Sequence, residues 1–387
     1  MPALPTEKSP YSRPRALLYV GDVVPGPGYG GPIIVDRHLR RFAAEGWAVT
    51  VVCPRGHEIT PGPWLQIQLP LRRWWWPPFR PTMPRVSVFR SAFVRHYLVS
   101  SGLLPPQNVL TVVTGNYSWL AADLARAWRA PLFAIVHDWW EETGSPTERL
   151  CGEYVCRQAR RVLTVCPEMS EALAPVAPNK TEVLPPIPAA RELPFAVWRG
   201  DYGKRPVVAH VGSLHPHHIE FLARTAQALA HIGGELLVVC PAANSSLTSL
   251  RRQSANIRHQ DYFPTNIEAL KCVATHASAV VIMYPHGEGV PGRPPTGFPS
   301  RFIEFIQLGL PVLLVAPPTN PVRTWGLRSN WQAAFSPDDQ QSLSHFLPLL
   351  AHQPDWERLA MDSRMAASSM FDPNSIHHQL SSLLATR

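Results

Sequence analysis

Apolar and polar positions alternate in blocks along this chain, and the blocks predict its elements. Ala16-Leu-Leu-Tyr-Val20 is a short apolar run closed by Gly21-Asp22, so it reads as a buried strand. A Gly/Pro loop follows. Ile33, Ile34, Leu39 and Phe42 then recur at helical spacing up to Glu45, and Gly46 ends that helix. Ala48–Val52 is the next strand. The same reading predicts strands at Val109–Val113, Leu132–Val136, Val162–Val165 and Glu182–Leu184, with helices near Tyr117–Trp128, Thr147–Gln158 and Glu168–Leu173 between them. Pro185-Pro-Ile-Pro188 to Tyr202 is proline-rich and aperiodic, so it reads as a linker.

The alternation then restarts. Val207–Val211 is a strand ending in Gly212, followed by helix Ile219–Ala230, strand Glu235–Val239 and helices Ser246–Gln253 and Asn266–His276. Strand Ala279–Met283, helix Ser300–Leu308 and strand Val312–Val315 come next, and the last fifty residues read as wholly helical. Strand–helix alternation implies an α/β protein with parallel sheets covered on both faces. Two such runs predict two Rossmann-like, doubly wound domains facing a central cleft. The expected boundaries are 1–188 for the first domain, 189–204 for the linker and 205–387 for the second, with the final helix available to pack back on the first domain. Ligands in such sheets sit at the carboxyl ends of strands.

Composition narrows the class. The 387 residues are 45% hydrophobic, enough for a core in each half, and no apolar run reaches membrane-spanning length. The first residues lack the apolar centre of a signal peptide, so a cytoplasmic location is expected. The six cysteines form no C-x-x-C pair and read as reduced, structural thiols, and no metal-ligand spacing is present. The net charge of +8 is uneven. Residues 59–122 hold six arginines and no acidic residue. Within them Arg72, Arg73, Trp74, Trp75, Trp76 and Arg80 interleave cation and indole, continuing through Arg85, Arg90 and Arg95 to Tyr97 and Leu98. That pattern suits reversible, peripheral contact with an anionic membrane surface on its inner face; the alternative is that the tryptophans pack into the core or line the acceptor side of the cleft. Nucleic acid is not expected, because the rest of the chain is nearly charge-balanced.

Four segments carry candidate chemistry. Gly21-Asp-Val-Val-Pro-Gly-Pro-Gly-Tyr-Gly-Gly31 joins a strand to a helix, where glycine lets backbone amides approach a phosphate or sugar. It formally contains G-x-G-x-x-G, but strand two ends Val52-Cys53-Pro54 without the acid that a dinucleotide ribose needs. His137-Asp138 closes a strand and is placed either for chemistry or as a hydrogen-bonded core histidine. His215-Pro-His217-His218 opens a helix after Gly212 and offers cleft-lining donors or, less simply, metal ligands. Phe298-Pro-Ser-Arg-Phe-Ile-Glu-Phe-Ile-Gln-Leu-Gly-Leu-Pro-Val312 is the most specific segment. Ser300 is a natural N-cap there, and Arg301 and Glu304 share one face of the helix start. A guanidinium and a carboxylate so placed suit a diphosphate and a ribose diol, or else make a surface ion pair.

These segments resemble the GT-B glycosyltransferases, specifically the large retaining family 4 type, over nearly the whole chain. Asp22–Gly31 looks like the family's N-terminal glycine loop, His137 like its sugar-contacting histidine, and Arg161–Ser170 like its strand and short-helix stretch. Phe298–Val312 is similar to its Pro-Ser-Lys-x-x-Glu-Tyr helix, with Arg301 in the lysine place, Glu304 in the ribose-binding place and Phe305 in the tyrosine place. The resemblance implies transfer of a sugar from a nucleotide-sugar donor to a glycan or lipid-linked acceptor, with retention and with no metal or cofactor. It implies Asp22, Gly30, Gly31 and His137 around the reacting sugar. Donor contacts would come from Gly212, Ser213, His218, Tyr262, Arg293, Ser300, Arg301 and Glu304. Replacing Glu304 by alanine is expected to weaken nucleotide binding and leave the fold intact. The sequence departs from the pattern in three places. Thr296 stands where many members carry a first glutamate, and Ser213 and the histidines near His217 and His218 stand where members carry Arg and Lys. Arg293, Arg301 and His218 are the cations available to replace that diphosphate clamp. A degenerate GT-B binding subunit, a sugar-nucleotide epimerase or hydrolase, and a nicotinamide dehydrogenase are the competing classes.

Overall fold

The computed structural model describes residues 15–28, 30–56, 60–69, 84–138, 146–189, 193–284 and 296–386, without the side chains of 84–90 and 147. The first half forms strands β1 (Ala16–Val20), β2 (Ala48–Pro54), β3 (Leu65–Leu69), β4 (Asn108–Val112), β5 (Leu132–Val136), β6 (Arg161–Thr164) and β7 (Thr181–Val183). Their order in the sheet is β3-β2-β1-β4-β5-β6-β7, every pair parallel. Helices α1 (Gly31–Ala44), α2 (Pro84–Ser100), α3 (Gly115–Trp128), α4 (Pro146–Gln158) and α5 (Pro167–Leu173) connect them.

The second half repeats the plan. Strands β8 (Val207–Val211), β9 (Glu235–Val239), β10 (Ile257–Gln260), β11 (Ala279–Met283), β12 (Val312–Val315) and β13 (Ala334–Phe335) lie in the order β10-β9-β8-β11-β12-β13, again all parallel. Its helices are α6 (Ile219–His231), α7 (Ser245–Gln253), α8 (Asn266–His276), α9 (Ser300–Ile306), α10 (Pro321–Arg328) and α11 (Gln340–Phe346). Helices α12 (Gln353–Ser368) and α13 (Pro373–Ala385) complete the chain. In each sheet the winding reverses beside the first strand, between β1 and β4 and between β8 and β11. Those reversals open the two crevices where ligands bind in doubly wound sheets.

The central strands β1, β4, β5, β8, β9 and β11 are buried along their whole length, which explains why they were legible as continuous apolar runs. Strands β3, β10 and β13 were not foreseen. They are short edge or near-edge strands, and β10 alternates half-buried and exposed residues. Helix α2 also differs from expectation. Its described C-terminal turns put Val94 and Leu98 in the core, with Tyr97 packed against it, and Arg95 Nη1 donates to Ala127 O. The tail of the arginine–aromatic run is therefore a helix packed along one side, while Phe93, Arg95, His96 and Val99 stay exposed on the other. Residues 72–80 lie outside the described residues.

Between β7 and β8 the described chain has no helix or strand. Its end is nevertheless well held. Tyr202 is buried, donates its hydroxyl to Ala277 O and sits among Trp198 and Trp356. Helix α12 belongs to the second sheet, through Trp356 Nε1 to Ser278 O and Ser363 Oγ to Leu310 O. Helix α13 instead lies on the first domain. Its Ile376, Leu380 and Leu384 join Leu17, Tyr19 and Phe42 in one apolar cluster, and Asn108 Nδ2 bonds Leu384 O. Each fully buried leucine of this kind contributes about 1.5–3 kcal/mol, so the chain end fastens the two halves together.

Candidate functional site

Two cavities open at the start of α1, one on each side. The Gly30–Gly31 junction divides them: Gly31 lines the first and Gly30 the second. No described group of His, Cys, Asp or Glu side chains is arranged to hold a metal ion.

The second cavity, about 320 Å³, lies between α1 and the second domain. Gly212, Ser213, His215, Tyr262, Asn266, Ser300, Arg301 and Glu304 line it, with Ile33 and Ile34 from α1. Thus seven of the twelve anticipated residues meet here: Gly30, Gly212, Ser213, Tyr262, Ser300, Arg301 and Glu304. Gly212 ends β8 at φ +110°, and a Cβ there would stand 2.8 Å from Arg301 Nη1. The backbone angle therefore calls for glycine. Arg301 Nη1 donates to Val211 O at 2.9 Å. No ion pair joins Arg301 to a carboxylate among the described residues. Burial draws its guanidinium down from the ordinary arginine value, opposed by the Tyr284 phenol, yet arginine stays charged in proteins. A half-buried cation without a carboxylate partner at a cavity wall attracts an anion.

Glu304 is already engaged. Arg37 of α1 holds it with both terminal nitrogens, Asn266 Nδ2 donates to Oε2 at 3.1 Å, and the Ala189 amide donates to the same oxygen at 3.4 Å. Arg37 Nη1 also donates to Ile187 O at 2.9 Å. Both partners of the ion pair are largely buried, with side chains 12% and 9% exposed. The carboxylate is thus the meeting point of α1, the chain crossing between domains, and the second domain. Two expectations change. Arg301 and Glu304 do not pair with each other, so the surface ion-pair reading is excluded. Removing Glu304 would strand a largely buried arginine, at a cost of about 3–5 kcal/mol, so Glu304→Ala is expected to destabilise the fold as well.

Helix α9 begins differently from expectation too. Pro299 occupies the N-cap and makes no side-chain cap, while Ser300 is the first helical residue and turns to the cavity. His218 is corrected more strongly. It is buried, its Nδ1 accepts from the His215 amide at 3.3 Å, and it does not line the cavity. Burial above all, then His217, pushes its pKa down to about 3, so it supplies no cation near neutral pH. His215 takes its place in the wall.

The first cavity, about 410 Å³, sits at the carboxyl ends of β4 and β5. Val23, Pro32, Val112 and Val113 give it apolar wall, and Thr114, Ser118, His137, Asp138, Glu148 and Cys151 give it polar groups. A Cβ on Gly31 would lie 3.6 Å from His137 Nδ1, which places the imidazole in van der Waals range of the helix start. Burial lowers the His137 pKa to about 4 against the opposing pull of Asp138, so the ring is neutral. It can donate and accept a hydrogen bond but carries no charge.

Asp22 lines neither cavity. Its Oδ2 accepts from the Tyr117 amide at 2.8 Å, which caps the first turn of α3. Thr296 is buried, and its carbonyl accepts from Cys166 Sγ at 2.9 Å across the two domains. No carboxylate stands there. Arg293 lies outside the described residues. Arg37 and Asn266 were missed by sequence reasoning. Arg37 left a signal, since it falls three and four residues after Ile34 and Ile33, inside the apolar stripe of α1. Asn266 left none, because its partner is distant in sequence.

No curated protein matches the sequence. Residues 30–186 match the family model described as glycosyl transferase 4-like domain. Among solved structures, HepE of Anabaena, crystallised with UDP and glucose, superposes with a TM-score of 0.67 at 13% identity over 96% of this chain and 99% of its own. A glycosyltransferase of Rickettsia africae gives 0.64 at 12% identity over 97% and 98%. WaaG, a glycosyltransferase involved in lipopolysaccharide biosynthesis, gives 0.63 at 15% identity over 96% and 100%. Two parallel doubly wound sheets, a cleft between them and this set of likenesses agree: the chain has the GT-B glycosyltransferase fold, and its residues 30–186 match the model of a glycosyl transferase 4-like domain.

Proposed function

We propose that the protein is a glycosyltransferase that moves a sugar from a nucleotide-sugar donor to a hydroxyl acceptor, without a metal and with retention. The observation that carries this reading is Arg301, a half-buried guanidinium with no carboxylate partner among the described residues, in the cavity that also holds Glu304. The diphosphate sits against Arg301, with Ser213, Ser300 and His215 as further donors or acceptors. The ribose diol reaches Glu304, sharing that carboxylate with Asn266, and Tyr262 faces the base. HepE binds UDP-glucose, which supports a uridine donor here. The transferred sugar then passes the α1 start toward His137.

In the reaction the acceptor oxygen forms its bond to the anomeric carbon as the bond to the diphosphate oxygen breaks. The acceptor proton goes to the departing diphosphate, whose charge Arg301 and backbone amides stabilise. The protein positions and desolvates and uses no nucleophile of its own. Retention rests on the likeness of the site segments to the retaining family. The domain division at 188 and 205, and peripheral membrane contact through Arg72 to Arg80, are part of the same reading. Among the described residues no helix is long and apolar enough to cross a membrane.

A binding subunit without turnover is the second reading, favoured by Thr296 and His218 at positions where a carboxylate and a cation would serve. Calorimetry against UDP-, GDP- and ADP-sugars and nicotinamide cofactors, followed by product analysis, tests both. Micromolar binding of one nucleotide-sugar with transfer supports the enzyme, and binding without turnover supports the subunit. A preference for nicotinamide cofactors overturns both.

A further inference from the structure

The cavity beside His137 has a charge pattern that sugar transfer alone does not demand. Its wall carries two carboxylates, Asp138 and Glu148, and among the described residues no lysine or arginine. The imidazole in the wall is neutral. A further carboxylate lies just behind it, because Asp22 packs against Gly115, which lines the cavity, and accepts from the Tyr117 amide. That contact has a consequence for anions. The start of a helix ordinarily draws negative charge, but here Asp22 already occupies the first turn of α3.

We infer that this cavity receives an uncharged glycosyl acceptor, and that a sugar bearing phosphate or carboxylate at the end that enters is rejected. The inference rests on the transfer reading of the same cleft and adds the chemical class of the acceptor. The volume of about 410 Å³ is that of a small-molecule site. Carboxylates only accept hydrogen bonds, so the hydroxyl groups of a sugar, each a donor, match Asp138 and Glu148 directly. Val23, Pro32, Val112 and Val113 offer an apolar wall to the C–H face of a pyranose. The neutral His137 ring bonds a hydroxyl in either sense. A second anion brought beside these exposed carboxylates meets like charge at close range inside the cavity. An acceptor carried on a charged lipid remains compatible, provided that its charge stays outside.

Saturation-transfer NMR on the full chain, with UDP present, tests the inference. The probes are methyl glucoside, methyl galactoside and methyl mannoside, each paired with its uronic acid and its 6-phosphate. The neutral member of at least one set is expected to bind about tenfold or more tightly than its charged partners. The variant Asp138→Asn/Glu148→Gln should close most of that gap by admitting the charged members. Asp138 is exposed, and circular dichroism of the variant checks its fold. Equal or tighter binding of an anionic member overturns the inference, and so does failure of every probe to bind. UDP affinity measured in the same samples reports on the donor cavity separately. Loss of UDP binding therefore speaks against the transfer reading while the preference between paired probes stays readable.

Discussion

The cavity at Arg301 and the cavity at His137 flank the same helix start, and both sit where a doubly wound sheet opens. They differ in the sign of their charge. The first offers a half-buried guanidinium, hydroxyls and a carboxylate already tied to Arg37 and Asn266. The second offers Asp138, Glu148 and a neutral imidazole against apolar wall. A shared scaffold thus yields one site suited to an anion and one suited to neutral polyols. The difference comes from a few side chains at strand ends and not from the fold.

The largest effect should come from Arg301. Arg301→Ala removes charge-assisted bonds worth about 1.5–3 kcal/mol each, so nucleotide affinity should fall by about a hundredfold or more by calorimetry. Arg301→Lys should recover part of it, since the bond to Val211 O is a backbone contact that an ammonium can also make. A variant that binds nucleotide as tightly as the parent removes Arg301 from the donor site. His137→Ala should do the reverse. Turnover should drop by about ten- to a hundredfold while nucleotide affinity holds, as expected for a contact made near the reacting centre. Equal turnover returns His137 to a structural role.

A smaller effect is expected at Glu304, and its best probe is glutamine. Glu304→Gln keeps an acceptor for Asn266 but loses the charge that Arg37 and a ribose diol both use. Nucleotide affinity should fall by about tenfold, and thermal unfolding should also shift down, because Arg37 loses its counter-ion in a buried place. A shift in melting temperature without change in affinity assigns the residue to the domain junction alone.

Sequence patterning made the two parallel sheets legible, because β1, β4, β5, β8, β9 and β11 are buried on both faces and read as unbroken apolar runs. Edge strands β3, β10 and β13 were lost, since half-exposed short strands carry no such signal. Motif matching found Arg301 and Glu304 but not how they are used. Arg37 lies 267 residues from Glu304 and Asn266 lies 38 from it, and side-chain pairing at such distances is set by the packing of helices. His218 was misjudged for a related reason. Its type suggests a cation, whereas burial beside other histidines keeps it neutral.

That neutrality gives the smallest prediction. His137 and His218 have pKa values lowered from the ordinary 6.5 to about 4 and about 3. As pH falls below about 6.5 the unfolded chain takes up protons that the folded chain refuses, so stability should decline from there toward pH 4. Denaturant titrations at pH 7.5 and 5 measure it. His218→Asn should flatten part of that slope, and an unchanged slope in that variant would mean that its ring titrates normally.

The most direct test of the contrast between the cavities is a crystal structure of the full chain soaked with UDP. The diphosphate should lie within hydrogen-bonding distance of the Arg301 guanidinium and the ribose hydroxyls on Glu304, with the cavity of Asp138 and Glu148 free of phosphate. Phosphate density beside Asp138 and Glu148, or a diphosphate out of reach of Arg301, would contradict it.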